Sequence, residues 1–129
     1  MILTVCNRAA VRSVTAATIL KDLFAISDVF AVGLDTTSDD VLLWLYERAD
    51  MILICGQTIR PFPFQSDKVK LLNIGDDVWG TPQHPALMRS LISSLIESGF
   101  VPSQRFYPSV EIYLAMCDNS IRRMLTNVV

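Results

Sequence analysis

The chain has 129 residues, with 11 Lys plus Arg against 13 Asp plus Glu, a formal charge of −2 when its single His is neutral. That is the length of one domain, and 51% apolar against 19% charged residues excludes a disordered chain. A sequence pI near 5.2 and the lack of any Lys or Arg run exclude a protein that grips nucleic acid mainly by neutralising phosphates.

In chain order, Ile2 to Val5 opens as an apolar run of strand length. Ser13 precedes a segment with Ala16, Ala17, Ile19, Leu20, Leu23 and Phe24, the i, i+3, i+4, i+7 rhythm of a helix with one buried face. Val29 to Leu34 is the second strand. Thr37 or Ser38 then caps a helix running to about Arg48, whose first turn holds Asp39 and Asp40 at the positive end of the dipole. Met51 to Cys55 is the third strand. Gly56 to Asp67 carries Pro61 and Pro63, each disfavouring helix at the residue before it, and is expected to be mostly loop. After the fourth strand, Val69 to Ile74, Pro85 and Ala86 open a helix through Leu87, Leu91, Leu95 and Ile96 that Gly99 stops. A last helix, Ser109 to about Thr126, places Val110, Tyr113, Leu114, Cys117, Ile121, Met124 and Leu125 on one face.

The four strands are nearly continuous apolar runs without alternation, as expected where both faces are covered, and this points to a parallel sheet. Alternating strands and helices with right-handed crossovers then give a single α/β domain over residues 1–129, with helices on both faces. A mean hydropathy of +0.39 raises the question of a membrane. No apolar stretch approaches the roughly 18 residues that a spanning helix needs, and the N-terminus lacks the basic start and long apolar run of a signal peptide. No membrane partner and a cytoplasmic address are expected. Three Cys with no CxxC or Cys/His ligand spacing indicate neither a disulfide framework nor a structural zinc, and no metal or cofactor is expected.

Ligands of such sheets bind beyond the carboxyl ends of the strands, which directs attention to the residues after Val5, Leu34, Cys55 and Ile74. The first of these positions holds Cys6-Asn7-Arg8-Ala9-Ala10-Val11-Arg12-Ser13. A thiolate is a strong nucleophile when its pKa is lowered, and a loop of inward N–H groups ahead of a helix N-terminus does this. The same N–H groups, from Asn7, Arg8, Ala9, Ala10, Val11 and Arg12, make a nest for phosphate oxygens. Arg12 can offer a bidentate fork to two of those oxygens, and the Ser13 hydroxyl can hydrogen-bond the sulfur.

On these residues the chain resembles the low-molecular-weight protein tyrosine phosphatases, and more closely the short bacterial and phage proteins described as predicted tyrosine phosphatases. The resemblance covers about residues 1 to 98. It rests on Cys6, Arg12 and Ser13, the Thr15-Ala16 helix start, Ala49-Asp50-Met51-Ile52 leading the third strand, and Leu72-Asn73-Ile74-Gly75-Asp76-Asp77 ending the fourth. It implies a three-layer sandwich on a four-stranded parallel sheet in order 2-1-3-4; the C-terminal helical extension from about residue 100 lies outside the resemblance and rests on the periodicity of the last helix. The resemblance also implies a phosphocysteine intermediate and an Asp general acid, for which Asp76 and Asp77 are the candidates. The substrate class is then a phosphorylated protein or a small phosphomonoester, with no oligomeric state specified. The chain departs from the family at Ala9, where an Asn usually braces the loop. It also has no glycine in the loop and no Asp-Pro-aromatic segment near the C-terminus.

Each of these residues has a simpler reading. Cys6 can be a small buried hydrophobe, Arg12 a solvated helix residue, Ser13 an N-cap, and Asp76 with Asp77 ordinary turn chemistry. His84 reads first as the start of a helix, and Cys55 and Cys117 as packing residues. Trp79, Phe62 and Phe64 either wall a substrate pocket or dock onto the core. Ala9 favours a rival reading, a non-catalytic phosphate-binding module. An arsenate reductase, which relays a disulfide through further cysteines, and a phosphocysteine carrier of a sugar uptake system are the remaining alternatives.

Overall fold

The computed structural model describes residues 1–8, 11–74 and 84–127, with side chains through Asp118. Its elements are β1 (Ile2–Cys6), α1 (Arg12–Asp22), β2 (Val29–Gly33), α2 (Asp39–Arg48), β3 (Met51–Cys55), β4 (Val69–Leu72), α3 (Pro85–Glu97) and α4 (Val110–Asn127). The strands form one sheet in the order β2-β1-β3-β4, and all three pairings are parallel. The α/β class, the four parallel strands and their order are those expected. Beyond Leu72, Asn73 and Ile74 lie outside the strand, although Ile74 is buried.

Alternation of side chains along the strands divides the interior in two. Cys6, Leu53, Cys55 and Leu72 pack with α1, α3 and Tyr113 of α4, whereas Leu3, Val5, Ile52 and Ile54 pack with Leu42 of α2, Ala49 and Phe62. These are the two helical layers of a sandwich around a central sheet. Coverage is unequal, however: α2 is short and buries only Leu42 fully, so the edge strands keep Phe30 55% and Leu71 65% exposed. The apolar runs of the edge strands therefore do not signify cover on both faces. A run of that kind records strand character, and the length of the covering helix decides what is buried.

The helix boundaries follow from local chemistry. The Val41 N–H donates to the Ser38 hydroxyl of the α2 cap, with Asp39 and Asp40 in the first turn. Pro85 stands in the first turn of α3, where its missing N–H costs nothing, and the Ala86 N–H donates to His84 Nδ1. Past the end of α3, Gly99 takes φ +103° and the Phe100 N–H turns back to the Leu95 carbonyl, setting Phe100 edge-on to Phe24. The Ile112 N–H donates to Ser109 at the start of α4. Val110, Tyr113, Leu114 and Cys117 of α4 meet the core as predicted; Ile121, Met124 and Leu125 lie outside the described side chains. Among the described residues, no helix is long and apolar enough to cross a membrane.

Candidate active site

The sheet order makes the chain leave β1 for β2 on one side and return to β3 on the other, so the carboxyl end of β1 is the switch point. Cys6 ends β1 there and is 4% exposed. Pairing with the β2 exit continues past both strands, because the Leu34 N–H donates to the Cys6 carbonyl (2.9 Å) and the Asp35 N–H to the Asn7 carbonyl (2.8 Å). Gly33 allows the two segments to come this close. A Cβ at that position would stand 2.5 Å from the Arg8 carbonyl carbon and 2.7 Å from its Cα, distances that only a hydrogen can occupy. The Cys6–Ser13 segment has no glycine of its own; the one that accommodates it lies on the neighbouring strand.

Helix α1 begins at Arg12 after Val11, and no side chain caps it. Ser13 therefore lies inside the first turn and is not the N-cap. Its Oγ is 3.0 Å from Cys6 Sγ, with both groups buried. From the strand below, Thr4 Oγ1 donates to the Ser13 carbonyl (2.8 Å), fixing the start of the helix against β1. Arg12 is 1% exposed; its Nη1 donates to the Gln57 carbonyl (2.9 Å), and Nε and Nη2 are buried with it. Removing a guanidinium from water costs several kcal/mol unless oxygens meet it, so Arg12 is not the solvated helix residue of the simpler reading. A thiol and a hydroxyl thus meet at the N-terminal turn of a helix that also carries the buried Arg12, where backbone N–H groups and the helix dipole favour an anion.

The β3–β4 connection closes over this point. Gly56 turns with φ +83°, the Ile59 N–H donates to Asn7 Oδ1 (2.9 Å), and Arg60 Nη2 donates to the Leu34 carbonyl (2.8 Å) while Nη1 sits 3.3 Å from Asp39. Behind the connection is an open cleft of about 460 Å³ lined by Ile54, Pro61, Phe62, Val69 and Leu71 together with residues 56–59 and Gln65. Phe62 borders this cleft but is buried in the core beneath it, the docking alternative of the sequence reading. Phe64 packs its ring on Tyr46, 5.2 Å between centroids.

Cys55 ends β3 one step beyond the Val5–Ile54 pair, beside Cys6 on the neighbouring strand. Burial, and secondarily the proximity of Cys6, push its thiol from 9.0 up to about 12. The folded state then holds a proton that the unfolded chain releases above about pH 9, so stability falls as pH rises from there toward about 12. Thermal melts across that interval should drop for the wild type and drop less for Cys55→Ala. Equal slopes would remove Cys55 as the cause.

Of the residues singled out from sequence, Cys6, Asn7, Arg8, Val11, Arg12 and Ser13 lie along one strand end and one helix start. Ala9, Ala10, Asp76, Asp77 and Trp79 lie outside the described residues. Sequence reasoning missed Thr4, Gly33, Gln57 and Arg60. Two of these carry a signal: Thr4 is a polar residue within an apolar strand, and Gly33 is a glycine at the end of another. No family model, curated protein or solved structure matches the chain.

Proposed function

We propose that the chain is a cysteine-dependent phosphomonoesterase of the low-molecular-weight tyrosine phosphatase type, acting on phosphotyrosine or a small phosphomonoester in the cytoplasm. The observation that carries this reading is the placement of Cys6 Sγ 3.0 Å from Ser13 Oγ at the first turn of α1, with the buried Arg12 beside it. Cys6 attacks phosphorus in line, displacing the ester oxygen. Arg12 and the loop N–H groups stabilise the charge on the equatorial oxygens. Asp76 or Asp77 protonates the departing oxygen, and water then attacks the phosphocysteine, releasing phosphate and restoring the thiolate.

Hydrolysis of p-nitrophenyl phosphate by wild type and by Cys6→Ser tests this reading. The variant should lose at least about 10⁴-fold in rate while still binding phosphate. A wild type that binds no phosphate and hydrolyses nothing would overturn the proposal. Asp76→Asn or Asp77→Asn should slow phosphotyrosine hydrolysis more than that of the activated aryl ester, because protonation matters most for a basic leaving oxygen. Ala9, in the position of the usual bracing Asn, favours a second reading, a phosphate-binding module without turnover. Phosphate or vanadate binding with no hydrolysis by wild type decides for it.

A further inference from the structure

Between Gly56 and Phe62, both buried, the β3–β4 connection lies mostly in solvent: Ile59 is 84% exposed, and Gln57 and Pro61 are exposed as well. Apolar burial therefore does not hold this stretch, yet Gln57 supplies the carbonyl that receives Arg12 Nη1. An arginine side chain has several rotatable bonds, and its fork points reproducibly only if the acceptors that meet it are themselves fixed. Polar contacts do the fixing here. The Ile59 N–H donates to Asn7 Oδ1 (2.9 Å) across 52 positions of sequence, and Arg60 Nη2 donates to the Leu34 carbonyl (2.8 Å) at the β2 exit, which also packs against Arg8 through Gly33. Thr58 Oγ1 donates to the Arg60 carbonyl (2.6 Å) and stiffens the turn between them.

We propose that Asn7 is a positioning residue: its side-chain carbonyl clamps the β3–β4 connection to the phosphate loop, so that the Gln57 carbonyl holds the Arg12 guanidinium in one orientation. The clamp gives the loop an external brace in a chain whose ninth position is Ala. Its kinetic consequence rests on the phosphatase reading; its structural consequence does not.

The test compares Asn7→Ala, which deletes the acceptor, with Asn7→Asp, which keeps one. In the ¹⁵N-labelled protein, the Arg12 Nε–Hε resonance should broaden or shift in Asn7→Ala and return in Asn7→Asp. With p-nitrophenyl phosphate, kcat should fall about tenfold or more in Asn7→Ala, because a misplaced guanidinium stabilises the transition state less well. Asn7→Asp should recover kcat but show a raised KM, since its carboxylate repels the phosphate dianion. An Arg12 resonance and a kcat unchanged in Asn7→Ala overturn the proposal, as does an Asn7→Asp variant as impaired in both as Asn7→Ala. A wild type without hydrolysis sinks the phosphatase reading alone, and the Arg12 resonance still decides the clamp. Should Asn7→Ala fail to fold, Asn7→Leu removes the acceptor at nearly unchanged volume; an unchanged Arg12 resonance there is equally fatal.

Discussion

On the proposed phosphatase function, Gly33→Ala is expected to lower kcat/KM for p-nitrophenyl phosphate by about 100-fold, although Gly33 supplies no side chain to the site. The added methyl would meet the Arg8 backbone at 2.5 and 2.7 Å and Thr36 Oγ1 at 2.7 Å. Thr36 can rotate its hydroxyl aside, but the Arg8 backbone can yield only by moving the segment that follows Cys6. That segment is tied to the β2 exit through the Cys6 and Asn7 carbonyls, so the displacement passes to the loop that would hold phosphate. Overpacking of this kind also costs about 1–3 kcal/mol of stability. Gly99→Ala is the matched control. It strains a residue at φ +103° with nothing within 4 Å of the new methyl, and should cost stability alone. A Gly33→Ala protein that binds phosphate and turns over as wild type does would show that the close approach of β2 is not what shapes the loop.

The second large effect concerns Arg12. Arg12→Lys keeps a positive charge but loses the planar fork, and an ammonium cannot meet the Gln57 carbonyl and the two phosphate oxygens of the proposed function in the same geometry. Activity should fall about 10²- to 10³-fold, the scale on which removing one preorganised donor acts. Arg12→Ala goes further, leaving a void where a side chain 1% exposed had packed and depriving Gln57 of its donor. The expected loss is about 3 kcal/mol, a fall of about 10 °C in Tm for a domain of this size. An Arg12→Lys protein with wild-type kcat/KM would sink the proposed role of the fork, and an Arg12→Ala protein that melts at the wild-type temperature would sink the packing argument.

What could be read from the sequence was what is local in it. Apolar runs such as Met51 to Cys55 identify strands, and the Ser38, Asp39, Asp40 cluster identifies a helix start, because capping and burial periodicity operate over a few residues. The Cys6, Arg12, Ser13 spacing was legible for the same reason: one strand end and the first turn of the next helix carry all three, and the turn brings Ser13 back to the sulfur. The family resemblance supplied the strand order, which no local pattern contains.

Tertiary structure alone decided which distant residues complete the site. Gln57, Ile59 and Arg60 follow Cys55 in a loop whose prolines predict only irregularity. They reach Arg12, Asn7 and Leu34 because parallel pairing places the exit of β3 next to that of β1. Thr4 and Gly33 likewise matter through neighbours that the sheet assigns to them. The α2 helix is equally visible in sequence, yet its cover stops short of Phe30 and Leu71, since layer coverage depends on helix length and placement over the sheet. Strand register and layer packing are sums over long-range contacts, and a sequence window records only its own contribution to them.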